Sequence, residues 1–371
     1  MPDKPRTSKR KRAGEGKRGG LHAKTISANP FLALLPAVRK DIDARLHGLL
    51  DAKLDAARQH GAEVTELVSA LRSLCMRGGK RLRPALLVAG FRAVSSSEDL
   101  DAALEAGVAL ELLQAYFLIH DDWMDQDDVR RGGPSVHAAL TQRFRSARLG
   151  AASAILAGDY SVALATEALA RMEIPKSRVQ RVFACFAQMQ IDAVIGQQLD
   201  LVGEARDVEA TYRLKTGSYT VQGPLRIGAL LAGAPARLLT TLDRFAIPLG
   251  VAFQLRDDLL SAFGDPVQTG KPFGNDLKSG KRTLLLTVAL DRLRGAERRT
   301  LSKLVGNRRA SDAELRKGMA LVERCGAREL VEARIEELVG TALSALRAGR
   351  ITPQGAELLE GAARALAARR S

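Results

Sequence analysis

Nowhere in its 371 residues does the chain gather the ~20 uninterrupted apolar residues that would span a bilayer, so no transmembrane segment is expected. Cysteine is scarce: Cys75, Cys185 and Cys325 are scattered without metal-ligand or disulfide spacing. Their apolar or helical neighbours mark them as buried, inert thiols, and a cytoplasmic location follows. Strict alternation with β-branched residues is rare, which leaves little to make a sheet from. Between residues 31 and 371 there is no Pro/Gly/Ser linker of any length, so nothing divides that stretch into separate domains.

What the chain does have is helical pattern. Leu100 to Ile119, Ser177 to Val202 and Leu238 to Phe263 carry apolar residues at 3–4 spacing in helix-forming composition. Short breaks at Gly132-Gly133-Pro134, Gly203 and Gly233-Ala234-Pro235 punctuate them. The expected fold is all-α, a single helical domain over residues 31–371 built around a central cavity. Residues 1–30 differ. Lys4, Arg6, Lys9, Arg10, Lys11, Arg12, Lys17, Arg18 and Lys24 face only Asp3 and Glu15 there, among Gly, Ser and Pro. Such a segment cannot bury enough apolar surface to fold and reads as a disordered tail. It supplies about half of the formal net charge of +15, so the charge misleads about the folded body. It has no apolar core of a secretory signal, and a solubilising tail is the expectation rather than a nucleic-acid-binding one.

Two acidic clusters carry the chemistry. The first is His120-Asp121-Asp122-Trp123-Met124-Asp125, trailed by Arg130-Arg131-Gly132-Gly133-Pro134. The second is Phe253-Gln254-Leu255-Arg256-Asp257-Asp258, trailed by Gly264-Asp265-Pro266 and Thr269-Gly270-Lys271. Each closes an apolar helical run. Asp121 and Asp125, at i and i+4, emerge from one helix face and repel each other unless a cation lies between them. Hard divalent ions suit such oxygens, Mg2+ first among them, because Mg2+ takes one or two carboxylates and completes its shell with water and phosphate oxygens. Two acidic helix ends trailed by bases therefore suggest a metal-bridged diphosphate.

Five blocks in order make the pattern specific: Gly78-Gly79-Lys80-Arg81-Leu82-Arg83-Pro84, the first acidic block with its arginines, Gly196-Gln197-Gln198-Leu199-Asp200, Lys215-Thr216-Gly217, and the second acidic block. Together they resemble the trans-isoprenyl diphosphate synthases, or polyprenyl synthetases, from about Phe31 onward. The resemblance implies an isoprenoid-synthase-type helical bundle and a Mg-dependent trans-prenyltransferase. Such an enzyme condenses isopentenyl diphosphate head-to-tail with an allylic diphosphate, dimethylallyl or geranyl. It further implies about three Mg2+ ions per site and a homodimer with no nucleic-acid partner.

Residue by residue, the resemblance assigns Asp121, Asp125 and Asp257 as direct metal ligands, with Asp122 and Asp258 ligating or orienting. Arg130, Lys215 and Lys271 would contact the allylic diphosphate and Lys281 would add an outer ring of charge. Isopentenyl diphosphate would take a metal-free pocket made by Lys80, Arg83, Arg131 and Gln114. Gly78 and Gly79 let backbone approach an anion there, and the arginine forks match phosphate oxygens. Thr216, the Lys215 carbonyl and Gln254 would face the developing cation with dipoles. No His or Glu base is expected: the released diphosphate takes the final proton, and His120 and His137 read as structural.

Two departures matter. Ser261 replaces the last acid of the second DDxxD block, which removes a carboxylate. Gln114, about two turns before Asp121, stands where many bacterial members have His, and Gln114-Ala115-Tyr116-Phe117 resembles eukaryotic farnesyl diphosphate synthases. Phe117 and Tyr116 lie ~6 Å and ~7.5 Å along the helix axis from Asp121, where rings would stop a growing prenyl tail. That puts farnesyl diphosphate first as product and geranylgeranyl diphosphate second. A weakly active partner subunit is the non-enzyme alternative. A terpene cyclase would carry an NSE-type second motif and no need for Gly78 to Arg83. Alanine at Phe117 or at Tyr116 is expected to lengthen the product, read by sizing the alcohols after dephosphorylation; unchanged length in both variants would remove the ruler.

Overall fold

Asn29 starts the first helix by accepting hydrogen bonds on Oδ1 from the backbone N–H of Phe31 (3.0 Å) and Leu32 (3.2 Å), with Pro30 at the position where a missing N–H costs nothing. Its Nδ2 donates to the Gly361 carbonyl at 2.9 Å, so one side chain ties the first helix to the last. The computed structural model describes residues 29–202, 207–264, 273–347 and 349–368. Residues 1–28 of the basic tail and Lys271 lie outside them, whereas Asn29 and Pro30, read from sequence as the end of that tail, begin the first helix.

The elements run α1 (Pro30–Ala57), α2 (Ala62–Met76), α3 (Leu82–Arg92), α4 (Asp101–Asp125), a hairpin of β1 (Val129–Arg130) and β2 (Gly133–Pro134), α5 (Val136–Phe144), α6 (Ala147–Ala170) and α7 (Lys176–Val202). A rod follows, made of α8 (Val208–Tyr212), a π-helical segment (Arg213–Gln222) and α9 (Gly223–Leu231). Then come α10 (Ala236–Phe263), α11 (Asn275–Ser279), α12 (Leu284–Arg292), α13 (Gly295–Leu304), α14 (Asp312–Arg324), α15 (Ala327–Arg347) and α16 (Pro353–Ala367). The three runs read from sequence are the long helices α4, α7 and α10. The fold is all-α, and the two-residue strands of the hairpin are the only β-structure among the described residues. They exist because Arg131 (φ 51°) and Gly132 (φ 71°) both adopt the left-handed conformation that a tight two-residue hairpin turn requires.

Two apolar cores organise the helices. The larger takes Phe31, Ile42 and Leu46 from α1, Leu86 and Leu87 from α3, Leu110, Leu112 and Leu113 from α4, and Leu242, Phe245 and Leu249 from α10. The second is built from Leu255 and Leu259 of α10 with Leu285, Leu301, Leu315, Val331 and Ile335. Helix α10 serves both, and its paired acids Asp257 and Asp258 lie between Leu255 and Leu259, in the stretch that packs into the second. Cys75 is buried, and burial pushes its thiol up to about 12; Cys185 is raised to about 11 for the same reason. Both are inert at neutral pH. By length and composition α4, α6 and α10 are long and apolar enough to cross a membrane, a property that isolated charges hide from a search for uninterrupted runs.

Glycines set the closest approaches. A Cβ on Gly228 of α9 would lie 1.9 Å from the Leu87 carbonyl oxygen of α3, and one on Gly250 of α10 would lie 2.6 Å from the Gly217 Cα of the π segment. Because backbone rather than a flexible side chain blocks the space, Gly228→Ala is expected to cost roughly 3 kcal/mol, the upper end of overpacking. A denaturant titration checks this; an unchanged midpoint would mean that α3 and α9 can part freely.

Candidate active site

The last turns of α4 carry Asp121, Asp122 and Asp125, and the structure separates their roles. Asp122 turns inward: it is fully buried and accepts from Arg130 Nε at 2.6 Å and also from Nη2 of the same guanidinium. Its Oδ2 is buried and has no protein hydrogen-bond partner. Asp121 meets Lys215 Nζ at 3.3 Å, and the same ammonium donates to Asp200 Oδ2 of α7 at 2.6 Å. Burial works to raise the Asp121 carboxyl, but Lys215 and Arg130 overcome it and hold the group below the usual carboxylate range. Asp125 is lifted to about 6 by partial burial and the charge of Asp121, which outweigh the opposing pull of Lys215 and Lys281.

Helix α10 repeats the arrangement. Asp258 is buried, 3% exposed. It accepts from Gln254 Nε2 one turn earlier at 2.8 Å and from the Tyr212 hydroxyl, and Lys281 Nζ stands 3.5 Å away. Burial raises its carboxyl to about 6, with Lys281 opposing and Asp276 adding to the rise. Thr216 Oγ1 donates to Gln254 Oε1 at 2.6 Å, which fixes the amide so that its NH2 points at Asp258. Lys281 is held charged against burial by Asp258, Asp276, Asp200 and Asp121 in turn, so both acidic clusters act on this one ammonium. Asp257 is half-buried on the same helix, and Ser261, one turn on from it, has a buried hydroxyl without a protein partner.

The segment that carries Lys215, Thr216 and Gly217 is π-helical, and glycines permit it. A Cβ on Gly196 of α7 would strike the Lys215 backbone nitrogen at 2.2 Å. The widened turn thus lies directly against α7 on one side and Gly250 of α10 on the other. π-Turns interrupt the i to i+4 register and often present functional groups.

A second group of bases surrounds the Gly78-Gly79 loop. Both glycines have positive φ (88° and 134°) and end α2. Arg81 is no ligand: its guanidinium is buried against Asp43 and Glu111, both at 2.7 Å, and anchors the loop from beneath. Lys80 is exposed. Arg83 donates to Thr220 Oγ1 at 2.7 Å, lies 4.4 Å over the Tyr219 ring, and keeps a buried Nε without a protein partner. Arg131 donates to the Gly78 carbonyl at 2.8 Å, and half-buried Gln114 lines a small gap with Arg131, Arg81 and Glu111. Phe117 packs on Tyr219 with ring centroids 4.8 Å apart, while Tyr116 packs on His120 at 4.6 Å. His120 Nε2 lies 3.2 Å from the Ile155 carbonyl of α6, and His137 pairs with Ser135 and Asp128. The two rings touch each other, with centroids 5.0 Å apart, and from there Phe117 packs on the π segment and Tyr116 on His120.

Among the described residues, direct contacts join Asp121, Asp122, Arg130, Lys215, Thr216, Gln254, Asp258 and Lys281 around the two acidic helix ends, and Arg83 and Arg131 around the Gly78-Gly79 loop. Lys271 lies outside the described residues, as does Asp265. Sequence reasoning passed over four residues as site groups. Asp200 and Tyr219 sat inside or beside the quoted blocks, and their neighbours were signal enough. Tyr212 and Asp276 carried none: they are recognisable only as the partner and the neighbour of Asp258.

Among the described residues no three His, Cys, Asp or Glu side chains converge to cage a metal unaided. A hard cation that also takes phosphate oxygens needs no cage. The residues fit one: burial and the like charge of Asp121 together raise Asp125, and a hard cation between the two carboxylates would cancel that repulsion.

The sequence profile of the polyprenyl synthetase family matches residues 64–322. The chain belongs to that family. A farnesyl diphosphate synthase of Geobacillus stearothermophilus is 37% identical over 273 residues, 69% of this chain and 84% of the relative. A geranylfarnesyl diphosphate synthase of Aeropyrum pernix is 34% identical over 296 residues, 77% and 89% of the two. The crystal structure of a geranylgeranyl pyrophosphate synthase from Corynebacterium glutamicum, complexed with isoprenyl diphosphate and magnesium, superposes with a TM-score of 0.84 at 34% identity over 92% of this chain and 99% of that one. The three names carry three chain lengths, so similarity gives this polyprenyl synthetase its reaction class and leaves its product to the local geometry.

For a polyprenyl synthetase stripped of metal, Asp125 predicts a pH signature. An aspartate free in the unfolded chain titrates near ~3.9 and the folded one near about 6, so the folded state prefers the protonated carboxyl. The resulting stability is present below ~pH 4 and lost as pH rises through 6. Asp125→Asn should therefore raise the melting temperature of EDTA-treated protein at pH 8 and change it much less at pH 4. Calorimetry showing the same gain at both pH values would contradict the assignment.

Proposed function

We propose that this prenyltransferase condenses isopentenyl diphosphate head-to-tail with dimethylallyl and geranyl diphosphates and releases farnesyl diphosphate. The observation that carries the reading is the pairing of two acidic helix ends, on α4 and α10, around shared lysines, with a separate basic loop alongside. Lys215 joins Asp121 to Asp200, and Lys281 answers to both acidic clusters. The loop of Lys80 and Arg83, with Arg131, supplies a second anion site with its own cations.

Mg2+ held by Asp121, Asp125 and Asp257 would supply Lewis-acid neutralisation of the leaving diphosphate. The protein's part is to add fixed charge and to exclude water. Arg130, Lys215 and Lys281 concentrate positive charge where the leaving group gains negative charge. Asp122 holds Arg130 in place, and Asp258 holds Lys281 and Gln254. The Gln254 amide oxygen and the Thr216 hydroxyl offer dipoles to an allylic cation without offering it a nucleophile. Lys80, Arg83, Arg131 and Gln114 fix isopentenyl diphosphate, and the released diphosphate takes the final proton. Phe117, against Tyr219, supports a short product because its ring stands one turn from Asp121 on the same face.

Two copies of the chain pair through α6 and α7. Leu156 (57% exposed), Ile191 (51%), Val194 (51%) and Val202 (71%) give those helices an apolar outer surface that a second copy of the same face would cover.

Incubation of the purified protein with Mg2+, isopentenyl diphosphate and, separately, dimethylallyl, geranyl and farnesyl diphosphates tests the reading. A C15 product that is not extended from farnesyl diphosphate is expected. A C20 product would keep the reaction and move the floor of the pocket below Phe117. No condensation with any primer would point to Ser261 and to a partner subunit of low activity.

A further inference from the structure

One half-buried arginine beside the site has no role in the reaction described above. Arg77 is the last residue before Gly78-Gly79-Lys80 and caps α2. Its Nε donates to the Ser73 carbonyl at 3.2 Å, and its Nη1 crosses to the hairpin and donates to the Arg130 carbonyl at 3.0 Å. One residue further along each strand the direction reverses: Arg131 Nη1 donates to the Gly78 carbonyl at 2.8 Å. Two consecutive loop residues and two consecutive hairpin residues are thus clamped reciprocally, each bond from a charged donor to a backbone oxygen.

We infer that Arg77 is a positioning residue that sets Arg130 and Arg131 in a fixed relation, and so fixes the two diphosphates relative to each other. The inference rests on the proposed function. Arg130 and Arg131 are neighbours in sequence, yet one points to Asp122 on the metal side and the other to the Gly78-Gly79 loop. The hairpin turn holds Arg131 in the left-handed region, at φ 51°, a strained conformation for a residue with a side chain. A hydrogen bond from a charged donor offsets that strain. Without Arg77 the turn can relax, and the two guanidinium groups lose their common frame.

Gly133 gives independent support. Its φ lies outside the positive region, so backbone conformation does not call for glycine there. Space does: a Cβ at 133 would lie 2.2 Å from Arg77 Nη1. The glycine leaves room for the guanidinium.

Steady-state kinetics with isopentenyl and geranyl diphosphates on wild type, Arg77→Ala, Arg77→Lys, Gly133→Ala and the Arg77→Ala/Gly133→Ala double variant test this. Calorimetric binding of inorganic pyrophosphate with Mg2+ supplies a readout apart from turnover. Arg77→Ala should raise both KM values together by about tenfold and weaken pyrophosphate binding in step. Gly133→Ala should reproduce the effect by expelling the guanidinium, the double variant should be no worse than Arg77→Ala, and Arg77→Lys should recover part of the loss. KM values within about twofold of wild type in Arg77→Ala, or a Gly133→Ala effect that adds fully onto it, would overturn the inference. If Arg77→Ala does not fold, Gly133→Ala and Arg77→Lys still decide between these outcomes. A wild-type protein that condenses nothing would instead sink the proposed function.

Discussion

Carboxylates placed near one another in a partly buried site repel, and each is costly to desolvate; this site is arranged around that constraint. Each acidic cluster divides its labour. One acid faces the open side, where a metal and a diphosphate would balance it. The next in sequence turns inward and is spent on holding a cation. Asp122 holds Arg130, and Asp258 holds Lys281 while orienting Gln254. The adjacent pair Asp-Asp on a helix is suited to this, because consecutive residues emerge about 100° apart and serve different faces. In the proposed reaction these two cations, Arg130 and Lys281, would meet the leaving group already held in place by inward-facing acids.

The same constraint explains the rest of the architecture. Lys215 can join Asp121 of α4 to Asp200 of α7 only because the widened π turn sits against Gly196 and Gly250. Arg81 is buried with two carboxylates, while Arg83, two residues on, reaches Thr220 of the π segment instead. Arginine at four nearby positions, 77, 81, 130 and 131, is used in four ways: a carbonyl clamp, a buried ion pair, a cation held by an inward acid, and a loop cross-link.

Much of this was legible in the sequence, because helical periodicity and the five blocks are local signals. The runs from Leu100, Ser177 and Leu238 correspond to α4, α7 and α10, and the i, i+4 relation of Asp121 and Asp125 needs only the helix. What was not legible depends on packing at a distance. Nothing about Tyr212 announces that its hydroxyl meets Asp258 and receives the Leu284 N–H at 3.1 Å. The π segment has no composition of its own and is permitted by glycines on two other helices. The hairpin at Val129 to Pro134 was hidden because its strands are too short for alternation to show; only the positive φ of Arg131 and Gly132 reveals it. The different second neighbours of Tyr116 and Phe117, His120 for one ring and Tyr219 for the other, are likewise set by packing between elements.

Helix α10 carries one further consequence. Pro248 sits in its interior and cannot donate a hydrogen bond to the turn before it. Upstream, Leu242 and Phe245 belong to the larger core; downstream, Leu255 and Leu259 belong to the second. Leu249 and Phe253, beyond the proline, still belong to the larger core while Val251 joins the second, so the two cores interleave along the helix just after the missing hydrogen bond. Asp257 and Asp258 lie past that stretch, and Asp121 and Asp125 stand on a helix of the larger core. A bend at Pro248 would therefore change the distance between the two acidic helix ends, the gap that a metal-bound diphosphate would fill.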